Sequence, residues 1–267
     1  MGGPPIPLTS HLSPLTSHRS PLTGSRVYDS LVHHIVENAD EVASRAAGWI
    51  ADAIRKTVRD KGACSLALAG GSTPRQAYRR LPTLPMVPWA QVEVFFGDER
   101  AVPPESPDSN FRMAQEAFLS QVPIPAARIH RMEAERDDLG SAAREYEALL
   151  PGSLDVLLLG IGPDGHTASL FPHAPALVER EHRVIRVVGG EPLVQRLTIT
   201  PPVIQHAQRT LVLATGAEKA DAVARALEGP DDVGSVPAQL ARGGTWILDR
   251  AAAQSLRGAE GPEAISP

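Results

Sequence analysis

Short apolar runs alternate with helical patterns from about residue 39 to residue 248, and this rhythm constrains the chain more than any other feature. Leu66-Ala67-Leu68-Ala69, Val92-Glu93-Val94-Phe95-Phe96, Leu154 to Leu159, Leu211-Val212-Leu213-Ala214 and Thr245-Trp246-Ile247-Leu248 read as strands. Val184 to Val188 and Leu197 to Thr200 read as shorter ones. Residues 39–59 read as a helix, with Val42, Ala46, Trp49, Ile50, Ala53 and Ile54 on one face. Residues 138–149 and about 218–227 also read as helices. Thr73-Pro74 opens another, since proline is tolerated in a first turn, and Asn110 can cap one running through Phe118. Strands that are apolar throughout are buried on both faces, and strands separated by helices pair in parallel. The expectation is an α/β fold, a mostly parallel sheet covered by helices on both faces. Ligands of such sheets bind beyond the carboxyl ends of the strands, and each polar cluster discussed below adjoins a strand.

The length of 267 residues, 42% of them hydrophobic, suffices for one domain with a sizeable core, placed at residues 26–257. Residues 1–25 are rich in Pro, Ser and Thr, and nearly repeat a phrase between Ser10 and Thr23. They cannot bury enough surface to offset their ordering entropy, so a disordered extension is expected there, and a flexible tail over 258–267. The extension lacks the continuous apolar core, about 7–15 residues, of a signal peptide; a transit peptide and an over-long start assignment are the other readings. No apolar run approaches the roughly 20 residues that span a bilayer, so no membrane partner is expected. A net charge of -5 with no basic excess argues against nucleic acid as a partner. An anionic ligand would need a local basic pocket. Cys64, the one cysteine, sits in an apolar run and reads as a buried thiol. A single thiol fits a reducing compartment, and a cytoplasmic location is expected.

Four polar clusters carry chemistry. In Ala69-Gly70-Gly71-Ser72-Thr73-Pro74-Arg75, two glycines allow a tight turn and close approach of the backbone. N–H groups at the new helix start can then face an anion; the bland alternative is a capped turn. Phe95-Phe96-Gly97-Asp98-Glu99-Arg100 puts three charges at the end of an apolar strand. In a cleft, Arg100 can stabilise charge developing on a reacting oxygen, with Asp98 or Glu99 orienting it; otherwise this is a solvated loop. Gly160-Ile161-Gly162-Pro163-Asp164-Gly165-His166 places an Asp and a His two apart in a glycine-rich loop. Histidine suits general-base work near neutral pH. His166 and His173 lie near each other in sequence but lack a third ligand at zinc-like spacing, so no metal is expected. Finally, Arg196 and Lys219 each adjoin a strand and can clamp a phosphate dianion.

These clusters, in this order, resemble the 6-phosphogluconolactonases over about residues 27–250. The match is carried by Gly70-Gly71-Ser72-Thr73-Pro74, Gly97 to Pro103, Ser109-Asn110 and Gly160 to Pro172, with Arg196-Leu197-Thr198 and Lys219 completing it. The resemblance implies a Rossmann-like, doubly wound sheet and hydrolysis of 6-phospho-D-glucono-1,5-lactone. It implies His166 as general base, Arg100 as oxyanion stabiliser, and Asp164 as orienter of His166 or holder of substrate hydroxyls. Gly70, Gly71, Ser72, Thr73, Asp98, Gly165, Arg196 and Lys219 would hold the substrate and its phosphate. It implies no cofactor beyond water, a small-molecule partner, and a monomer or small homo-oligomer. The related glucosamine-6-phosphate isomerases (deaminases) share the fold and are the alternative. They typically carry Asp-Glu-Tyr where this chain has Asp98-Glu99-Arg100, and Asn-Glu-Pro where it has Ser169 to Pro172. A non-catalytic sugar-phosphate sensor is the other alternative; the presence of His166 and Arg100 argues against it.

Overall fold

The computed structural model describes residues 1–3, 33–190 and 193–257. The expectations for residues 4–25 and 258–267 lie outside them. The described chain runs through β1 (His33–Val36), α1 (Ala39–Lys61), β2 (Cys64–Leu68), α2 (Ser72–Tyr78), β3 (Val92–Phe96) and β4 (Asp98–Arg100). It continues through α3 (Asn110–Ala117), α4 (Leu139–Leu149), β5 (Val156–Gly160), β6 (Val184–Gly189), β7 (Val194–Ile199) and α5 (Pro201–His206). It closes with β8 (Thr210–Ala214), α6 (Ala220–Leu227), β9 (Thr245–Asp249) and α7 (Arg250–Ala253).

Six strands form one parallel sheet in the order β1-β9-β8-β5-β2-β3. Every residue of β2 is buried, as are Val156 to Leu159 of β5 and Leu211 to Ala214 of β8. Successive side chains point to opposite faces, so full burial means that both faces are covered, as expected of this Rossmann-like architecture. α1 begins at an Asn38 side chain that accepts from Glu41 N–H at 3.0 Å, and ends at Gly62, where φ is 84°. Its buried stripe, including Val42, Ala46, Ile50 and Ile54, packs on the sheet. Cys64 is buried in this core, and burial, reinforced by the nearby Asp155 charge, pushes its thiol up to about 12, an inert group.

Three strands depart from the expected single series. β4, β7 and β6 form a separate antiparallel sheet. The Asp98-Glu99-Arg100 segment is therefore a strand, not a solvated loop, and Asp98 and Glu99 are buried. Two residues in three of that strand are acidic, which masked its character. β6 exposes Arg186 and Val188, as antiparallel sheets with one solvated face do. Ser109, not Asn110, caps α3, accepting from Arg112 N–H at 3.1 Å; Asn110 is the first helical residue. β1, at the sheet edge, carries two histidines in four residues and lacked the apolar signature.

The order of strands fixes where a ligand can sit. From β2 the chain moves outward to β3, then returns to β5 on the other side of β2. Loops leaving β2 and β5 therefore diverge and leave a crevice between them. Two buried tyrosines set the carboxyl ends of the neighbouring strands. Tyr78 Oη accepts from Ala69 N–H and donates to Ala69 C=O, both at 2.9 Å. Tyr146 Oη does the same at Phe96, at 2.7 and 3.2 Å.

Candidate active site

The loop after β5 is shaped by its own backbone. Gly165 N–H donates to Gly162 C=O, and Gly162 N–H to His166 C=O, each at 2.9 Å. Asp164 Oδ1 accepts the backbone N–H of His166 at 3.1 Å and meets its ring Nδ1 at 2.6 Å. Burial pushes the Asp164 carboxyl up, but the N–H bond, the His166 charge and the ring bond outweigh it and hold the group below the usual range. An ionised carboxylate only accepts, so Nδ1 carries the proton and Nε2 of the neutral ring is left as an acceptor. The Phe171 ring stands 4.8 Å from the His166 ring, centre to centre. Gly162 is a steric requirement, because a Cβ there would collide with the His166 ring and lie 2.5 Å from Asp164 Oδ1.

β4 and β7 supply two guanidiniums. Arg100 and Arg196 stand directly opposite each other in the antiparallel pair. Arg196 lies over the Phe171 ring, 5.7 Å from its centre, donates to Gly189 C=O at 3.2 Å, and reaches Asp98 Oδ2 at 3.8 Å. Burial lowers the Arg196 pKa from its high ordinary value; Asp98 opposes the shift and Arg100 adds to it. Asp98 Oδ2 also accepts from Ser169 Oγ at 2.6 Å. Arg100 donates to Asn110 Oδ1.

The anion end follows β2 and β8. Gly71 takes φ of 100°, a conformation that glycine adopts without strain, and turns the chain into α2. The Ser72 and Thr73 N–H groups, in the first turn of α2, have no acceptor among the described residues. Thr73 Oγ1 bonds Thr215 Oγ1 at 2.7 Å, joining this loop to the one after β8. There Gly216 N–H is held by the Asp249 carboxylate at 3.1 Å, and Lys219 ends the following 3-10 turn. Lys219 has no ion-pair partner among the described residues.

Gly70, Gly71, Ser72, Thr73, Asp98, Arg100, His166, Arg196 and Lys219 thus line one cleft of about 270 Å³. Asp164 stands behind His166 rather than on the lining. Gly165 is off the lining too: it is a buried turn residue with φ of 94°, packed against Val236. Neither Asp98 nor Glu99 bonds the Arg100 guanidinium directly among the described residues, so any part they play in orienting it runs through Asn110 and the backbone. Glu99 accepts from the N–H groups of Arg100, Asn110 and Phe111 and from Ser109 Oγ, at 2.8 to 3.0 Å, and so ties β4 to α3. Burial raises its pKa, with these donors pulling against the rise.

Asn110, Thr215, Phe171 and Ser169 received no site role from sequence. Asn110 reads as a helix cap, and only the folding of β4 against α3 brings it to Arg100. Thr215 directly follows a buried strand, the position where ligand contacts concentrate, and that signal could have found it. Among the described residues no group of three or more His, Cys, Asp or Glu side chains is arranged to hold a metal, and no helix is long and apolar enough to cross a membrane.

A family model described as glucosamine-6-phosphate isomerases/6-phosphogluconolactonase matches residues 37–248. The 6-phosphogluconolactonase of Mycobacterium tuberculosis is 38% identical over 240 residues, covering 83% of this chain and 97% of that one. A solved 6-phosphogluconolactonase from Trypanosoma brucei is 30% identical with a TM-score of 0.76, covering 85% of this chain and 99% of that one. A solved monomeric glucosamine-6-phosphate deaminase is 26% identical with a TM-score of 0.75, covering 84% and 99%. The fold alone does not separate these two chemistries.

Proposed function

The chain belongs to the glucosamine-6-phosphate isomerase/6-phosphogluconolactonase family, and from that premise we propose that it hydrolyses 6-phospho-D-glucono-1,5-lactone to 6-phospho-D-gluconate. The observation that carries this reading is the His166–Asp164 pair, 2.6 Å apart, in a cleft that also holds the Arg100 guanidinium. The substrate phosphate rests at the Gly70 to Thr73 loop, with Arg196 and Lys219 supplying positive charge. Asp98 accepts from a sugar hydroxyl while holding Arg196. His166 Nε2 takes a proton from water as the water oxygen bonds to the lactone carbonyl carbon. Negative charge builds on the carbonyl oxygen, and Arg100 stabilises it. The tetrahedral intermediate then expels the ring oxygen, which receives the proton back from His166. The new carboxylic acid loses its proton to solvent, so one lactone and one water yield one carboxylate and one proton.

Asp164 keeps the His166 ring in the tautomer this sequence needs. Chemistry at the cleft mouth supports the lactonase over the deaminase. Arg100 stands where the isomerases typically carry tyrosine. Ser169 to Pro172 contributes no carboxylate where they carry glutamate, and Ser169 is buried against Asp98. The test is acid release from freshly made phosphogluconolactone at constant pH, with the spontaneous rate subtracted, beside an ammonia assay on glucosamine 6-phosphate. Acid release well above the blank with no ammonia is expected. Ammonia release without lactone hydrolysis would overturn the reading.

A further inference from the structure

The two guanidiniums of the cleft have different partners. Arg196 lies 3.8 Å from the Asp98 carboxylate, which offsets its charge. Arg100 rests on a neutral carboxamide, Asn110. The orientation of that amide is dictated by its surroundings. Its Nδ2 donates to Asp98 C=O at 2.9 Å and to Asp98 Oδ1 at 3.2 Å, which turns Oδ1 toward Arg100. A flipped amide would set its NH2 group against the guanidinium and its oxygen against two acceptors. The Asn110 backbone is fixed as well, its N–H donating to Glu99 Oε1 at 2.8 Å. Asn110 is 2% exposed, and its side chain lies directly against the Gly70 backbone, where a Cβ would come within 2.7 Å of Nδ2. One side chain thereby ties α3 to β4 while abutting, without bonding, the anion loop.

We propose that Asn110 is the positioning residue for Arg100, holding the guanidinium in place over the reacting carbonyl without neutralising it. The proposal rests on the lactonase reading. A carboxylate in the same place would still accept from Arg100, but its second oxygen would face the two Asp98 acceptors, and its charge would cancel the one that the developing oxyanion requires. An apolar side chain would preserve the charge and lose the aim. Asn110 acts through Arg100, so its contribution must vanish when Arg100 is absent.

Four proteins test this in the full chain: wild type, Asn110→Ala, Arg100→Ala and the double variant. kcat and KM for the lactone, 6-phosphogluconate affinity and thermal midpoint are measured for each. Asn110→Ala is expected to lower kcat about 10- to 100-fold with KM little changed. In the Arg100→Ala background it is expected to lower kcat no further. Asn110→Asp, nearly the same shape, is expected to lose at least as much kcat while still binding 6-phosphogluconate. Equal losses in both backgrounds, or a wild-type kcat in Asn110→Asp, would overturn the proposal. Asn110→Ser replaces the alanine variant throughout if the latter does not fold. A wild-type protein inactive on the lactone would instead overturn the functional reading itself.

Discussion

Two neighbours in its own loop aim His166. Asp164 holds Nδ1 at 2.6 Å, and Gly162 leaves room where any Cβ would strike the imidazole. Replacing Gly162 with alanine must therefore displace the base while leaving the anion loop alone. We expect kcat to fall about a hundredfold, with affinity for 6-phosphogluconate kept within about threefold; steady-state kinetics beside product titration checks this. An unchanged kcat would mean that the ring position does not matter. His166 and Arg100 were legible in the sequence because each ends or follows an apolar strand, and their chemistry is specific to their side-chain type. Asn110 was not, since its value lies in contacts with residues ten and forty positions away, Arg100 and Gly70. Gly165 misled for the opposite reason: a glycine in a functional loop serves the turn as readily as the ligand.

Strand ends, more than strands, decide where the site lies. At the carboxyl ends, Tyr78 and Tyr146 pin Ala69 and Phe96. At the amino ends of β2 and β5, the Asp155 carboxylate accepts from Ser65 N–H and Ser65 Oγ at 2.9 Å and pairs with Lys61 at 2.5 Å. Burial raises the Asp155 pKa, but Lys61 and the Ser65 donors outweigh it and hold the carboxyl below its ordinary value. A depressed folded-state pKa stabilises the fold above the unfolded pKa, about 3.9 for Asp, and loses that contribution as pH falls through the folded value. Asp155→Ala should thus cost about 1–3 kcal/mol at neutral pH, with the gap from wild type narrowing at roughly pH 3. Urea midpoints at both pH values measure it; a gap that stays constant would exclude the carboxylate as its source. Five of the six parallel strands were readable because burial on both faces leaves unbroken apolar runs; the half-exposed edge strand β1 was not. β4 was not, because its acidic side chains are satisfied by partners from α3, β7 and the loop after β5.

At the scale of the molecule, four adjacent strands, β8, β5, β2 and β3, deliver their loops to one crevice. An acidic chain with a net charge of -5 gathers Arg100, Arg196 and Lys219 there, which answers how it can attract an anionic substrate. The sheet, apart from its edge strand β1, could be anticipated from rhythm alone, and the cleft from the rule that ligands sit beyond strand ends. The small antiparallel sheet, which brings Arg196 opposite Arg100, could not, since long-range pairing leaves no local mark on either strand. Hydrolysis in this cleft depends on water activated by His166. The decisive measurement is enzymatic hydrolysis of fresh 6-phosphogluconolactone by wild type and by His166→Ala, each corrected for the spontaneous rate, with 6-phosphogluconate binding measured in parallel. The variant is expected to bind the product yet lose about 10²- to 10⁴-fold in kcat. A variant that binds and turns over like wild type would exclude His166 as the base.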